Sequence, residues 1–322
     1  LFLRNAVMGK AKNGRIPLRD FSNYSLLLYK SLPHSLQAGI RHDGILMLSA
    51  TEKTAHEEQE LAKFANSFGL EATLLSKSET EQLQGGISLN IAGSVLYKCD
   101  SHLDPRMLMQ QLIAHLEGSG VKFLRKTEIK SIDYKGSQVE SIRTANGVKL
   151  TADAYVMAAG AYSADLAGSL SSNIPVVAGK GYSFLTEKVQ LRVPCLLAEA
   201  RVAITPLGST TRVGGTMELG RMRPCVNLRR IGGIVKSVNK YIPGVNLQLP
   251  DKSEVWYGFR PCSPDGLPYL GISRKAKNLV FATGHGMLGV SLGPATGKLV
   301  ARLLNGGPLA INIDAFSPDR FS

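Results

Sequence analysis

The sequence predicts a mixed α/β chain in which an antiparallel sheet is set into a βα-type domain, and three stretches carry that prediction. Residues 174 to 219 hold long β-prone runs of alternating character. Upstream of them, helix and strand signals alternate. Near the end, Leu279, Val280 and Phe281 run into glycines 284, 286 and 289, and leucines 299, 303 and 304 then recur at helical spacing. A strand that enters a glycine loop and opens a helix leaves backbone N–H groups unpaired at the helix N-terminus, where they suit an anionic or electron-rich ligand group.

Composition narrows the possibilities. A chain of 322 residues allows one or two domains with a large core. It opens on Leu1 and shows neither a signal-peptide pattern nor an 18-residue apolar run. The net charge of +13 invites a nucleic-acid or membrane reading. The basic residues are scattered, however, and no aromatic-interleaved basic stripe or nucleic-acid motif is present, so no nucleic-acid partner is expected. Cysteines 99, 195, 225 and 262 show neither Cys-x-x-Cys nor His at ligand spacing. No metal site or disulfide framework is expected, and most of them read as small buried hydrophobes in a reducing compartment. No internal repeat or low-complexity segment interrupts the chain.

In chain order, a helix is expected from about 22 to 37 with a kink at Pro33, then the strand GILMLSA at 44–50. Thr54 with Glu57 and Ser78 with Glu81 have the spacing of capping boxes for the next two helices. Asp104 as N-cap and Pro105 at the first helical position open an amphipathic helix with the face Leu108, Leu112 and Leu116, stopped by Gly118 and Gly120. Strands follow near 121–125 and 128–134, with turns at Lys135–Gly136 and Asn146–Gly147. The strand at 153–159 ends in Ala158, Ala159, Gly160 and Ala161, small residues that permit close approach of a ligand or a packing helix. After the long strands a helix is expected from about 228 to 241, followed by the strand VWYGFRPC.

Two C-terminal segments hold the chemistry-bearing residues. GHGMLG, residues 284–289, fits Gly-x-Gly-x-x-Gly literally, but only about 30 residues follow, too few to complete a dinucleotide-binding βαβ unit. Arg260 follows Trp256, Tyr257 and Phe259 on a strand that ends in the Pro264, Asp265, Gly266 turn. A partly buried guanidinium there needs an anionic partner. Either an internal ion pair, for example with Asp265, or a two-point clamp on a substrate carboxylate would supply one.

These residues carry a resemblance. WYGFRPCSPDGLPYLG followed by NLVFATGHGMLG is similar to the C-terminal signature of FAD-dependent D-amino-acid dehydrogenases, members of the D-amino-acid oxidase and glycine oxidase superfamily. SHLDPRMLMQQL, KTEIKSI, DAYVMAAGAYSADLA, IPVVAGKGYSF and EARVAITPLGSTTRVGGTMEL extend the match upstream in order and spacing. The resemblance implies a Rossmann-like FAD-binding domain with an inserted antiparallel substrate domain. It divides the chain into 1–100 (part of the substrate or cap domain), 101–170 (FAD-binding, with a β-hairpin insertion), 171–255 (substrate domain) and 256–322 (FAD-binding). The family's chains begin with a strand, a Gly-x-Gly-x-x-Gly turn and a helix that hold the FAD pyrophosphate. No such unit is present here, which implies a missing first segment on the order of 80 to 100 residues.

The implied activity is oxidation of a D-amino acid at Cα by hydride transfer to flavin N5, giving an imino acid that hydrolyses to a 2-oxo acid and ammonia. The flavin carries the redox chemistry, so no protein side chain is expected to be catalytic in its own right. Arg260 would clamp the substrate carboxylate, with Tyr182 and Met287 as further substrate contacts. Ile129, Ala159, Gly160, Ala161 and the run Gly284, His285, Gly286, Met287, Leu288, Gly289, Val290 would line the cofactor, His285 through its backbone. Glycine oxidases carry a tyrosine on the strand that here reads RVAITP, and Ala203 stands in its place, which leaves room for a larger substrate. A quinone-type acceptor and a cytoplasmic location, peripheral on the inner face of the membrane, are further implications. The alternatives are an oxidase of glycine, sarcosine or a related secondary amine, and a truncated remnant that does not retain FAD.

Overall fold

The computed structural model describes residues 14–37, 39–168, 173–220 and 222–321. An eight-stranded sheet dominates it, built from β1 (Ile45–Ser49), β2 (Ala72–Leu75), β3 (Gly93–Tyr97), β8 (Val177–Thr186), β9 (Cys195–Leu197), β10 (Val202–Leu207), β11 (Thr210–Gly220) and β12 (Trp256–Cys262). Their spatial order is β12-β8-β11-β10-β9-β1-β3-β2, antiparallel throughout except where β1 meets β9. One face buries Tyr182, Phe184, Val202, Ile204 and Val213 against Ile231, Ile234 and Val238 of α6 (Leu228–Tyr241). At the far end of the sheet α2 (Glu52–Asn66) packs against the β1–β3 strands through Ala62, Ala72 and Val95. The short α3 (Lys77–Leu83) links β2 to β3.

Two smaller sheets complete the fold. β4 (Ile129–Lys135), β5 (Gln138–Thr144) and β6 (Lys149–Leu150) form a hairpin sheet. β7 (Tyr155–Met157), β13 (Tyr269–Ile272) and β14 (Leu279–Thr283) form the other, in which β7 and β14 run parallel. α4 (Pro105–Gly118) precedes the hairpin sheet and α5 (Ser163–Gly168) follows β7. Against this last sheet lie α1 (Arg15–Lys30) and α7 (Gly289–Leu304), which share a core of Phe21, Leu270, Leu292, Leu299 and Phe316. The C-terminal tail is stapled back by Arg320, which meets Asp265 through two hydrogen bonds of 2.8 and 3.0 Å and lies over the Tyr269 ring at 4.0 Å.

Several expectations are corrected. The first helix runs from Arg15 to Lys30, and Pro33 is the N-cap of a separate 3₁₀ turn, His34–Leu36, because proline has no N–H to continue a helix. The caps lie upstream of the expected ones: Thr51 caps α2, and Ser76 with Glu79 forms the box on α3. Asp104 caps α4 as expected, accepting from the Arg106 and Met107 N–H groups, but only Leu108 of the expected face is buried, and Leu116 is exposed. No strand forms at 121–125, where Val121, Phe123 and Leu124 are exposed: a β-prone run stays irregular when no neighbouring strand among the described residues pairs with it. β12 belongs to the large sheet, so the boundary drawn at 256 falls one strand too early, and α1 shares its core with α7 while its Arg15 and Arg19 lie over the Phe64 and Phe68 rings. Of the cysteines only Cys195 is fully buried, and Cys225 is exposed.

Candidate active site

Register decides which side chains meet. Residues paired across neighbouring strands share a face, and faces alternate along each strand. Arg260 pairs with Gly179, Gly258 with Gly181 and Trp256 with Ser183. Ser183 pairs with Gly214, Leu185 with Arg212, and Ala203 with Gly214. Arg260, Trp256, Arg212 and Ala203 therefore stand on one face, over a floor made of Gly181, Gly214 and Gly258. A Cβ at Gly181 would collide with the Arg260 guanidinium, and one at Gly258 with the Trp256 ring. The glycines hold open the space these side chains occupy.

Tyr182 points to the other face. It is 1 % exposed, donates its hydroxyl to Glu218 Oε2 at 3.1 Å, and packs with the buried Lys180, whose Nζ donates to the Arg223 and Cys225 carbonyls at 3.0 and 2.9 Å. The expected substrate contact of Tyr182 is corrected: one residue of strand parity places it in the core.

Arg260 is half-buried, and its Nη1 donates to the Thr216 carbonyl at 3.0 Å. Thr216 has a positive φ of 63° at a bulge in β11, between Gly215 and Glu218, and this turns its carbonyl onto the guanidinium. Asp265, the sequence-level candidate for an ion pair, is taken by Arg320 instead. Among the described residues no carboxylate pairs with Arg260, while burial pulls its guanidinium below the ordinary arginine value. Most of its donors are left for an anion that approaches this face.

Beside it is a cavity of about 660 Å³ lined by Ser183, Arg212, Trp256, Met109, Leu207 and Val290 among others. Arg260 does not line this cavity. Its guanidinium lies over Gly181, two positions along β8 from the lining residue Ser183.

The glycine loops converge on the same strand. The Gly160–Tyr162 turn at the end of β7 and the Gly286–Leu288 turn after β14 both pack against β12. Thr283 ties them together, its Oγ1 bonding Ser163 Oγ at 2.8 Å and the Gly160 carbonyl at 3.2 Å. His285 forms a bridge with Cys262, so the loop is joined to the strand that carries Arg260. The structure thus brings Ala159, Gly160, Ala161 and residues 284 to 290 together at the carboxyl ends of two parallel strands. Ile129 stands apart, at the start of β4, where it pairs with Thr144.

The first turn of α7 is shaped by residues that sequence reading missed. Pro294 has no N–H for the Val290 carbonyl, and the Tyr29 hydroxyl donates to that carbonyl at 2.6 Å. Ser25 inserts one step on, donating to the Ser291 carbonyl at 2.6 Å and accepting from the Ala295 N–H at 3.4 Å. Among the described residues no side chain caps the N-terminus, and Met287 and Val290 are 69 % and 49 % exposed. Gly160 and Gly286, with φ of 56° and 55°, have open space where a Cβ would stand. An uncapped helix end flanked by bare glycine turns fits the electron-rich edge of a flavin ring. Burial pulls the His285 imidazole down to about 4, and its Nε2 bonds Thr296 Oγ1 at 2.9 Å. A neutral ring at physiological pH agrees with a backbone role for this residue.

Comparison with known proteins gives one consistent answer. D-amino acid dehydrogenase of Vibrio vulnificus strain YJ016 is 33 % identical over 314 residues, covering 94 % of this chain and 74 % of the relative. D-amino acid dehydrogenase of Helicobacter pylori is 29 % identical over 311 residues, with the same two shares. Among solved structures, glycine oxidase from Geobacillus kaustophilus superposes with a TM-score of 0.86 at 24 % identity, covering 95 % of this chain and 84 % of its own. The FAD-bound L-alpha-glycerophosphate oxidase of Mycoplasma pneumoniae has the same fold at 18 % identity, with a TM-score of 0.74 over 88 % of this chain and 79 % of that one. The family description that spans residues 5–303 is that of the FAD dependent oxidoreductases, DAO, and with the glycine turns packed against the strand of Arg260, which pairs with no carboxylate among the described residues, the chain belongs to that family.

Proposed function

We propose that the protein oxidises free D-amino acids to 2-oxo acids and ammonia and passes the electrons to a quinone-type acceptor. The observation that carries this reading is Arg260: a half-buried guanidinium, free of any carboxylate among the described residues, on the strand that also anchors the Gly284–Gly289 loop. FAD, when bound, supplies the two-electron acceptor for oxidation at Cα.

The chain's own residues supply orientation. Arg260 would hold the α-carboxylate through two parallel N–H bonds and thereby fix Cα relative to the loop. The first turn of α7, kept open by Ser25 and Tyr29, would stabilise negative charge in front of it. Because His285 is neutral and already bonded to Thr296, the amine would enter unprotonated rather than surrender a proton to a histidine base. Ala203 and Gly214, side by side on the floor, leave room for a side chain larger than hydrogen.

The dehydrogenase names of the relatives support the D-enantiomer and a non-oxygen acceptor. No helix among the described residues is long and apolar enough to cross a membrane, and the net charge of +13 supports peripheral contact with anionic lipid beside a quinone pool. The test is dye reduction against oxygen consumption in the full-length, FAD-loaded protein with D- and L-alanine. Dye reduction by the D-enantiomer without matching oxygen uptake is the expected result. A preference for L-alanine, or oxygen uptake equal to substrate consumed, would overturn it.

A further inference from the structure

The cavity beside Arg260 contains a second guanidinium that the proposed reaction does not use. Arg212 stands on the same face of the sheet, and its Nε donates to Ser183 Oγ at 3.2 Å. The Arg260 guanidinium lies over Gly181 and that of Arg212 over Ser183, two residues apart on β8, which corresponds to a separation of about 7 Å. Arg212 is half-buried and stacks toward the Trp256 ring, 5.6 Å from its centroid. Among the described residues it pairs with no carboxylate within ion-pair distance. Its guanidinium is held below the ordinary value by burial first, then by the charges of Arg106 and Arg260, against which only Asp104 works.

The charges around this space are out of balance. Three guanidiniums stand in or beside it, Arg106 and Arg212 on its lining and Arg260 next to it, and of its two lining carboxylates Asp104 already accepts the Arg106 and Met107 N–H groups on Oδ1 at 2.8 and 3.4 Å. Glu254 is exposed on the cavity wall and accepts the Asp251 N–H at 2.9 Å. If Asp104 balances one cation and a substrate α-carboxylate a second, one cation remains. Arg212 lines the roomy cavity and Arg260 does not, so the two address different ends of a bound molecule.

We propose that Arg212 binds a second carboxylate, so that the site selects amino acids with an anionic side chain, of the D-glutamate or D-aspartate class. The inference rests on the amino-acid oxidation reading above and names its substrate class. The two carboxylates of such a molecule, separated by two or three carbons, match two guanidiniums about 7 Å apart with one carboxylate on each.

The test compares D-glutamate with its neutral isostere D-glutamine and with D-alanine, in the full-length FAD-loaded protein and in Arg212→Met. The wild type should favour D-glutamate over D-glutamine in kcat/KM by about tenfold or more. The variant should lose about ten- to a hundredfold more on D-glutamate than on D-glutamine, the worth of a charge-assisted contact. Equal losses on both substrates would mean that Arg212 shares the α-carboxylate or only supports the fold, and would overturn the proposal. Calorimetric binding of glutarate against butyrate to the wild type is independent of whether the variant folds, and glutarate should bind at least about tenfold more tightly. Oxidation of D-alanine combined with no preference for glutarate would sink the second site alone. Failure to oxidise any D-amino acid would sink the amino-acid reading itself.

Discussion

Replacing Arg260 by lysine keeps the charge and removes the planar fork. The guanidinium spends one Nη1 donor on the Thr216 carbonyl at 3.0 Å and has the rest available for a carboxylate. Lysine, a point donor on a flexible stem, would make one such contact and hold Cα less well. Loss of one charge-assisted bond is worth about 1.5 to 3 kcal/mol, or about ten- to a hundredfold in kcat/KM. Stability offers a second measurement. Among the described residues Arg260→Ala leaves no buried carboxylate stranded, and it removes the hydrogen bond to the Thr216 carbonyl, at a cost of about 1 to 3 kcal/mol. Asp265→Asn, by contrast, breaks the two-point pair with Arg320, whose side chains are 13 % and 21 % exposed, and should cost about 3 to 5 kcal/mol. Steady-state kinetics on a D-amino acid and on its decarboxylated amine, beside thermal melts of all three variants, check the argument. Normal kinetics for Arg260→Lys, together with an Arg260→Ala variant that melts as low as Asp265→Asn, would refute the clamp.

Three other outcomes follow from the geometry. His285 falls to about 4 in the folded chain from an ordinary 6.5, so the unfolded chain binds more protons between those values; stability is full above pH 6.5 and is lost as pH falls toward 4, by up to roughly 3 kcal/mol. Chemical denaturation across that window should show the slope in wild type and its loss in His285→Asn. Tyr29→Phe removes the hydroxyl bond to the Val290 carbonyl and should cost about 1 to 3 kcal/mol, most of it restored by adding Pro294→Ala, which returns the missing N–H; calorimetric melts of the single and double variants decide this. Gly286→Val places a β-branched residue at φ 55°, a strain of at least about 1 to 2 kcal/mol, and puts its side chain into the open space before α7, so flavin content measured by visible absorbance should fall.

What could be read from the sequence was local. Asp104 and Pro105 announce α4 because cap and first turn are adjacent in the chain, and the strand, glycine loop and helix at 279–304 are likewise contiguous. The other caps slipped because Thr51 and Thr54, or Ser76 and Ser78, are near-equivalent locally. A distant residue selects Thr51: Glu199 accepts the Ala50 and Thr51 N–H groups at 3.0 and 3.1 Å and itself takes a hydrogen bond from Tyr241. The site shows the same limit. Arg260 was legible from its apolar strand. The position of Arg212 beside it depends on register through β8, and register is non-local. The signal that could have found it is the set of glycines at 179, 181, 214 and 258, whose parity on three β-prone runs marks one bare face. Tyr182 was misassigned by the same missing parity.

The bridge between His285 and Cys262 has a consequence for how this protein can vary. Because the strand that carries Arg260 and the helix-opening loop are laced together by backbone, the spacing between them cannot drift through side-chain exchange. The surroundings are under no such restraint: Leu185, Leu207, Thr210 and Met109 project into the cavity from separate elements. Substitutions at these four positions can reshape what is admitted while the reacting geometry stays where the main chain puts it, so a single rigid jaw could serve a succession of differently lined mouths.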